Sequence, residues 1–266
     1  MNIRIVQVDA FADRPFTGNP AAVMPLESWL EDNVLQAIAA ENNLAETAFY
    51  VPAEGDADYE LRWFTPEVEV ALCGHATLAS GHVVLTDHPA RQSVRFRTRQ
   101  RGVLEVRRSA GGYELDLPAL APSPSDDTRS ADALGVKPVA TLFHDGGYFV
   151  TVLESEAELR ALKPDFRAVG AAVPGDPSHI FTAPGNNTDF VSRMFAPNAG
   201  IDEDPVTGSA HAVLTPYWAD RLGKTELTAF QASKRGGHLT CRLAGDRVVL
   251  GGKCITVIEG EFILAN

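Results

Sequence analysis

The sequence predicts an α+β protein of two similar lobes, each with several short strands around one apolar helix. Two turns of small residues, over 71–80 and 200–211, each open an apolar run of helical character, and strand-like segments flank both. A chain of 266 residues is also long for a single core. We therefore expect a first lobe over residues 1–118 and a second over 119–266, with the last strand free to pack back on the first lobe.

The two halves share a sequence pattern that indicates an internal duplication. Segments of the first half recur 131 residues later: Tyr50 at Phe181, Asp58-Tyr59 at Asp189-Phe190, and Arg62–Pro66 at Arg193–Pro197. Beyond the prolines the offset becomes 134 residues, from Gly74 to Gly208, because the later acidic loop is longer. A constant offset near half the chain length favours duplication over a chance similarity between two strand–turn–helix units. Two duplicated turns are expected to face each other across a cleft between the lobes.

In the first half, alternating and β-branched segments predict strands over residues 3–8, 47–52, 59–64, 93–98, 102–107 and 113–117. Ser28–Glu31 has the form of a capping box, and it predicts a helix that continues through Ile38 and ends at Asn42-Asn43. A second helix follows the first small-residue turn and ends near Leu85. The proline-rich stretch 118–127 is the best candidate for a linker between the lobes.

The second half repeats this order. Strands are predicted over residues 139–144, 148–153, 180–182, 190–195, 239–243, 247–250 and 254–258. Ser155–Glu158 is a second capping box, which predicts a short helix. The helix after the acidic turn contains Pro216, where a kink or a restart is expected, and Gly223 is its predicted end.

Composition excludes several classes of function. The net charge is −12 and no basic run is present, which argues against nucleic-acid binding. No apolar run reaches the roughly 18 residues of a membrane span, and the N-terminus alternates like a strand rather than a signal peptide. Three cysteines provide neither a disulfide framework nor a Cys-x-x-Cys metal pair. The nucleotide-binding motifs and the nucleophile elbow are also missing, so we expect no metal or cofactor. Without a signal peptide or a membrane span, we expect a cytoplasmic protein.

Two residues of the first half are candidates for acid/base chemistry. Glu46 lies between a helix end and an apolar strand, where an acid is partly desolvated and suited to proton transfer. The alternative is a solvated glutamate at a strand end. His75 lies in the first helical turn, where the helix dipole disfavours imidazolium, so we expect a neutral donor to a substrate oxygen. Its alternative is a half-buried histidine that has only a structural role.

Other candidates lie in the two turns themselves. Asp204 is either a second acid/base group or a residue that caps its helix. Cys73, at a helix start, is either a thiol of lowered pKa or a small buried hydrophobic residue. Ser209 is a candidate anion contact because helix N-termini favour anions. His211 either faces the cleft or covers its helix. Together these residues indicate acid/base chemistry on a small anionic substrate.

Four motifs resemble the PhzF-like phenazine-biosynthesis family: Asp9–Phe11 with Gly18–Pro20, Asn43–Phe49, Cys73–Leu78 and Glu203–His211. They occur in the family's order and cover nearly the whole chain. The resemblance implies the diaminopimelate epimerase-like fold, in which each of two pseudo-symmetric lobes is a curled, mostly antiparallel sheet around a central helix. It also implies a homodimer and cofactor-independent catalysis in the interlobe cleft.

By the same resemblance, Glu46 takes and returns a proton on a small carboxylate substrate, while His75 and Asp204 hold the substrate or assist the transfer. The two turns bind the substrate through these residues: Cys73, Gly74, Thr207, Gly208 and Ser209. The family's phenazine-pathway member isomerises dihydro-hydroxyanthranilate and tends to have a serine before the glutamate and an alanine at the position of Cys73. This chain has Ala45 and Cys73, so it resembles the broad branch whose substrates are unassigned.

The related racemases use two cysteines, one in each turn, as opposed bases. Here Cys73 occupies the first position but Thr207 the second, and a hydroxyl is too weak an acid to replace the thiol. Two-base racemisation therefore lacks a partner. A Cys73-dependent dehydratase or epimerase stays open as an alternative, since a related hydroxyproline dehydratase group uses a cysteine and a threonine. A binding protein that has kept the fold without turnover is the third hypothesis.

Overall fold

The computed structural model describes residues 1–264 and divides into two compact units. Unit 1 comprises Met1–Leu117 and the C-terminal segment from Gly251, and unit 2 comprises Pro118–Leu250. The sequence places the change of lobe after residue 118 and assigns the C-terminal segment to the second lobe, with its last strand free to pack back on the first. In the structure that segment packs with unit 1, because its strand pairs with the N-terminal strand along nearly its whole length.

The elements of the first part of the chain are β1 (Asn2–Ala10), β2 (Asn19–Pro25), α1 (Asp32–Asn42), β3 (Glu46–Pro52), β4 (Tyr59–Phe64), β5 (Glu69–Val70), α2 (Gly74–Asp87), β6 (Ser93–Thr98), β7 (Val103–Ser109) and β8 (Gly112–Pro118). Next come β9 (Ser123–Pro124), α3 (Arg129–Ala133), β10 (Ala140–His144), β11 (Tyr148–Val152), α4 (Glu156–Ala161), α5 (Phe166–Ala172), β12 (Ser178–Pro184) and β13 (Phe190–Ala196). After a 3₁₀ turn, the chain continues as β14 (Ile201–Asp204), α6 (Gly208–Leu222), β15 (Glu226–Gln231), β16 (Gly237–Ala244), β17 (Arg247–Gly252) and β18 (Cys254–Ile263).

The two units share one strand topology. In unit 1 the pairs β1–β18, β1–β2, β3–β4, β4–β5 and β6–β7 are antiparallel, whereas β2–β3 and β4–β6 are parallel. In unit 2 the pairs β9–β10, β10–β11, β12–β13, β13–β14 and β15–β16 are antiparallel, whereas β11–β12 and β13–β15 are parallel. The order of parallel and antiparallel pairs is therefore the same in each unit. This mixed, mostly antiparallel arrangement confirms the predicted α+β fold class.

Strand register corrects one detail of the predicted duplication. In unit 1 Phe49 lies opposite Arg62, and in unit 2 Phe181 lies opposite Arg193. Phe49, not Tyr50, is therefore the counterpart of Phe181. The offset is 132 residues in this strand and 131 in the next one, because the turn between the two strands differs in length by one residue.

Each unit contains one buried arginine that binds a glutamate through two hydrogen bonds. Arg62 Nε and Nη2 donate to the carboxylate of Glu69, both at 2.8 Å. Arg193 Nε and Nη2 donate to the carboxylate of Glu203 at 2.7 and 3.0 Å. Such bidentate pairs are directional as well as strong. They tie β5 to β4 and β14 to β13, just ahead of the turn that opens α2 or α6.

α2 and α6 are the long helices at the core of their units. α2 is buried on nearly all sides, as expected of a core helix. It packs so closely on β7 that a Cβ atom at Gly81 would lie 2.4 Å from Val106 Cγ1. α6 runs through Pro216 without a break and ends at Gly223, which has φ +66°. The predicted helix end at Gly223 is confirmed, and the predicted restart of the helix at Pro216 is wrong. None of the helices within residues 1–264 is long and apolar enough to cross a membrane.

One of the two predicted capping boxes is present. Ser155 caps α4, and its hydroxyl accepts the N–H of Glu158. Ser28 does not cap α1, which begins four residues later with Glu31 as its N-cap and no capping side chain. The reason is tertiary: Trp29 packs against the buried cluster that includes Leu35, Ile38 and Phe49, and its indole Nε1–H donates to Glu60. These contacts hold the segment outside the helix.

The arginine–glutamate pair of unit 2 predicts a stability effect. Glu203→Gln leaves the buried Arg193 guanidinium without its counter-charge, so we expect a loss of about 3 kcal/mol in the free energy of unfolding. Denaturant titration measures this loss. Glu105→Gln, which breaks the exposed pair with Arg107, is the matched control and should change stability by less than about 1 kcal/mol. Equal effects of the two changes would contradict a special role for the buried pair.

Candidate active site

Glu46 is the first residue of β3, and its strand register carries it into the interior of unit 1. It lies opposite Ala21 of the parallel strand β2 and is 7% exposed. Alternate side chains of a strand point to opposite faces. Phe49 packs in the cluster formed with α1, so Glu46 points to the other face, toward α2. A glutamate at this position is removed from bulk water.

His75, the second residue of α2, meets Glu46 on this face and is 3% exposed. Its Nε2 lies 3.1 Å from Glu46 Oε2. Neither atom makes a well-aligned hydrogen bond with any residue of the described chain, so the contact is an ion pair rather than an aligned hydrogen bond. Two elements far apart in sequence, the start of β3 and the start of α2, thus bring an acid and an imidazole together.

The other ring nitrogen of His75 has two neighbours. Asn19 Nδ2 lies 3.1 Å from Nδ1, and Cys73 Sγ lies 3.5 Å from the same atom. With the Asn19 amide as donor, Nδ1 accepts and the ring proton lies on Nε2, toward Glu46. An imidazolium donates from both nitrogens and needs an acceptor at Nδ1, either the Asn19 amide oxygen after a flip of the amide or the Cys73 sulfur. The hydrogen bonding at Nδ1 is therefore coupled to the charge of His75.

The pKa of His75 lies well above its usual value. Burial alone would lower this pKa, but the contacts of the ring with Cys73 and Glu46 outweigh burial and raise it. This direction opposes the predicted neutral form of His75. A helix N-terminus contributes about half a positive charge, whereas Glu46 offers a full negative charge at 3.1 Å. The contact with Glu46 therefore favours the imidazolium form of His75.

Cys73 is the N-cap residue of α2 and is buried. Burial, together with the nearby Glu46 carboxylate, raises the pKa of its thiol to about 11, despite the contact with His75. Of the two predicted alternatives, the structure favours the small buried residue over the thiol of lowered pKa, because desolvation exceeds the effect of the helix N-terminus. Cys73 is a neutral thiol at neutral pH.

Glu46, Cys73 and His75 place one oxygen, one sulfur and one nitrogen donor within 4.8 Å of one another. Donors of these types bind zinc and similar metals in proteins. Glu46, however, contacts Nε2 of the ring, whereas Cys73 contacts Nδ1. A metal ion bound at Nε2 would have Cys73 on the far side of the ring, and a metal ion bound at Nδ1 would have Glu46 there. Glu46 and Cys73 therefore contact the ring at different nitrogens.

The acidic turn of unit 2 brings together a second group of predicted residues. Asp204 ends β14, Thr207 is the N-cap of α6, and both are buried. The Thr207 hydroxyl donates to Asp204 Oδ2. Gly208 and Ser209 follow as the first residues of α6, as Gly74 is the first residue of α2. Asp204 thus binds the N-cap side chain and does not itself cap the helix.

Gln231, the last residue of β15, completes this turn, and the sequence analysis missed it. Its Oε1 accepts the Thr207 N–H at 2.8 Å, and its Nε2 donates to Asp204 O at 2.7 Å. A lone glutamine at a strand end carries no sequence signal. The Thr207 N–H is consequently occupied, which limits the predicted anion contact in this turn to Gly208 and Ser209.

His211 is a buried structural residue. Its Nδ1 donates to Thr207 O at 2.8 Å, and burial lowers its pKa to about 4. The ring is therefore neutral at physiological pH, and it covers α6, which was one of the two predicted alternatives.

Comparison with known proteins assigns the family. The sequence model of the phenazine biosynthesis-like proteins, PhzC-PhzF, matches residues 8–260. The chain belongs to this family. An uncharacterized isomerase of Pseudomonas aeruginosa is 50% identical over 268 residues, covering 99% of this chain and 100% of the relative. The family and such relatives identify this PhzF-like chain as an isomerase.

Solved structures confirm the fold. A PhzF-family protein of Enterococcus faecalis superposes with a TM-score of 0.91 at 45% identity, covering 99% of this chain and all of that one. A hydroxyproline epimerase of Agrobacterium vitis superposes with a TM-score of 0.65 at 11% identity, covering 98% of this chain and 92% of that one. The second likeness concerns the fold alone. The predicted epimerase-like architecture is thereby confirmed.

The ion pair predicts how His75 titrates. Because its folded-state pKa exceeds the unfolded value of about 6.5, His75 stabilises the fold fully below pH 6.5, and this contribution disappears as pH rises through the folded-state pKa. In an NMR titration, His75 should remain imidazolium at pH 7. In Glu46→Gln the pKa of His75 should fall, because the substitution removes the negative charge of the carboxylate that raises this pKa.

His211 is the internal control for this titration, because it should stay neutral down to about pH 5 in both proteins. A His75 pKa near 6.5 that does not respond to Glu46→Gln would contradict the ion pair.

Proposed function

We propose that this PhzF-like isomerase moves a proton between carbons of a small carboxylate substrate, without a cofactor, and that Glu46 carries the proton. The observation that supports this most is the buried contact between Glu46 and His75. An ionised carboxylate only accepts protons, and one held away from bulk water is suited to general base catalysis.

In the proposed reaction, Glu46 takes a proton from one carbon of the substrate, and the C–H electron pair spreads into the substrate's unsaturated system. Glu46 then returns the proton to another carbon. One C–H bond breaks and another forms, so no oxidant or reductant is needed. The His75 imidazolium lies beside the Glu46 carboxylate before the transfer. It also offers a proton to a substrate oxygen on which negative charge develops.

The counterparts of the site residues in unit 2 support a one-base reaction. By strand and helix register, Ser178 corresponds to Glu46 and Ser209 to His75. Thr207 corresponds to Cys73, and its hydroxyl is already bound to Asp204. Unit 2 therefore repeats the fold of unit 1 without a second acid/base pair, which disfavours racemisation by two opposed bases.

The roles of the remaining predicted residues stay predictions. Asp204 is proposed to hold the substrate or assist the transfer. Gly74, Gly208 and Ser209 are proposed to bind its carboxylate, because the first N–H groups of a helix lack partners within the helix. The homodimer expected from the family likewise stays a prediction. With Ala45 and Cys73 in the first motifs, we propose a carboxylate other than the phenazine-pathway substrate.

Exchange of carbon-bound hydrogen in deuterated water tests the role of Glu46. On a panel of small cyclic and amino-acid carboxylates, Glu46→Gln should lower the rate of deuterium incorporation by about 10²–10⁴-fold, as expected for loss of a proton carrier. Glu156→Gln, which alters another buried glutamate away from this cluster, is the matched control and should retain the rate. Unchanged exchange in Glu46→Gln would refute the proposal.

A Cys73-dependent reaction is the second candidate, because Cys73 Sγ lies 3.5 Å from His75. Its thiol pKa of about 11 predicts that any thiolate-dependent rate rises continuously up to about pH 11. We expect instead that Cys73→Ser changes exchange by less than about tenfold, since the neutral thiol is not the proton carrier. Loss of exchange in Cys73→Ser, with retention in Glu46→Gln, would establish the dehydratase or epimerase alternative.

A further inference from the structure

The acidic turn of unit 2 is held by one side chain from outside it. Gln231 is fully buried, and both ends of its carboxamide are used. Oε1 accepts the Thr207 N–H at 2.8 Å, while Nε2 donates to Asp204 O at 2.7 Å and to Thr207 Oγ1 at 3.1 Å. We call this set of contacts the Gln231 latch.

Sheet geometry explains why residue 231 reaches this turn. β12 pairs along one edge of β13, and β14 and β15 share the other. On β13, Met194 faces Asp204 and Ser192 faces Gln231. Positions two apart on one strand are about 6.6 Å apart. Gln231 therefore lies at the gap where β14 ends and the chain leaves the sheet to enter α6.

The latch also sets the direction of a hydroxyl proton. Because Gln231 Nε2 donates to Thr207 Oγ1, this oxygen accepts there and its own proton points to Asp204 Oδ2. The Thr207 carbonyl accepts from His211, so the polar groups of Thr207 are all engaged. Thr207 cannot turn away without breaking several hydrogen bonds, and Asp204 is fixed with it.

Unit 1 has the same topology without a latch. Thr98 ends β6 at the position equivalent to Gln231, since it faces Leu61 as Gln231 faces Ser192. Its hydroxyl donates to Gly102 O, within its own hairpin. Cys73, the counterpart of Thr207, instead contacts His75. The fold therefore does not require the latch, which exists only beside Asp204.

We propose that Gln231 is a positioning residue that fixes Asp204 and the first turn of α6 in the shape that the reaction uses. The proposal rests on the proposed function for the reaction itself, but the latch is measurable without turnover. A carboxamide is required because it donates at one end and accepts at the other. A carboxylate lacks the donor, and an aliphatic side chain lacks both.

Two variants test the latch by amide hydrogen exchange and by turnover. In Gln231→Leu, the loss of a hydrogen bond should speed exchange of the Thr207 amide by about tenfold. Deuterium incorporation into the substrate should slow by about 10²-fold, the scale of a small displacement of a catalytic group. Thr182→Val is the matched control, since it removes a fully buried hydroxyl that bonds to Val191 and Trp218 and should leave both rates unchanged.

Gln231→Glu adds a readout that general destabilisation does not produce. Its carboxylate accepts the Thr207 N–H but cannot donate to Asp204 O, whereas its protonated form can donate again. Turnover of this variant should therefore recover as pH falls, and turnover of Gln231→Leu should not. If Gln231→Leu does not fold, the pH dependence of Gln231→Glu relative to the wild type decides the question: recovery as pH falls supports the latch, and a wild-type profile overturns it.

The outcomes separate the two proposals. Wild-type exchange at the Thr207 amide in Gln231→Leu would overturn the latch, and unchanged turnover of Gln231→Leu together with faster amide exchange would overturn its positioning role. Absence of carbon exchange on every carboxylate in the wild type would instead refute the proposed function. Amide exchange would then still show whether Gln231 holds the turn.

Discussion

The contact between Glu46 and His75 is the interaction on which the proposed chemistry of unit 1 depends. A buried charge is costly unless it is paired, so neither side chain is stable there without the other. The parallel register of β2 and β3 places Glu46 at a strand start, and the opening turn of α2 places His75 opposite it. Asn19 and Cys73 then complete the surroundings of the ring.

The two units show how one topology has acquired two different turns. Each has a bidentate arginine–glutamate pair ahead of the helix that follows. After that pair they differ: the turn of unit 1 places a thiol against an imidazole, whereas the turn of unit 2 binds its threonine to Asp204 and Gln231. Duplication of the fold thus did not duplicate the side-chain contacts of the turn.

Much of the fold follows from the sequence because it depends on local patterns, such as alternation, glycine stops and the offset between the halves. Position in the chain made Glu46 and His75 candidates, and the structure brings them into contact. The charge of His75 could not be predicted from position, because a contact between residues 29 positions apart decides it. Gln231 and Asn19 could not be recognised from the sequence for the same reason, because strand pairing determines which hydrogen-bond partners they reach. Ser28 failed as a cap because tertiary packing of Trp29 outweighs the local motif.

Transfer of a label within the substrate tests the central claim most directly. A substrate found by the exchange screen is deuterated at the carbon that loses its proton and converted in a single turnover in ordinary water. If Glu46 carries the proton in a site shielded from water, the product should retain part of the deuterium at the new carbon. Complete loss of the label to solvent, together with wild-type conversion by Glu46→Gln, would contradict the account.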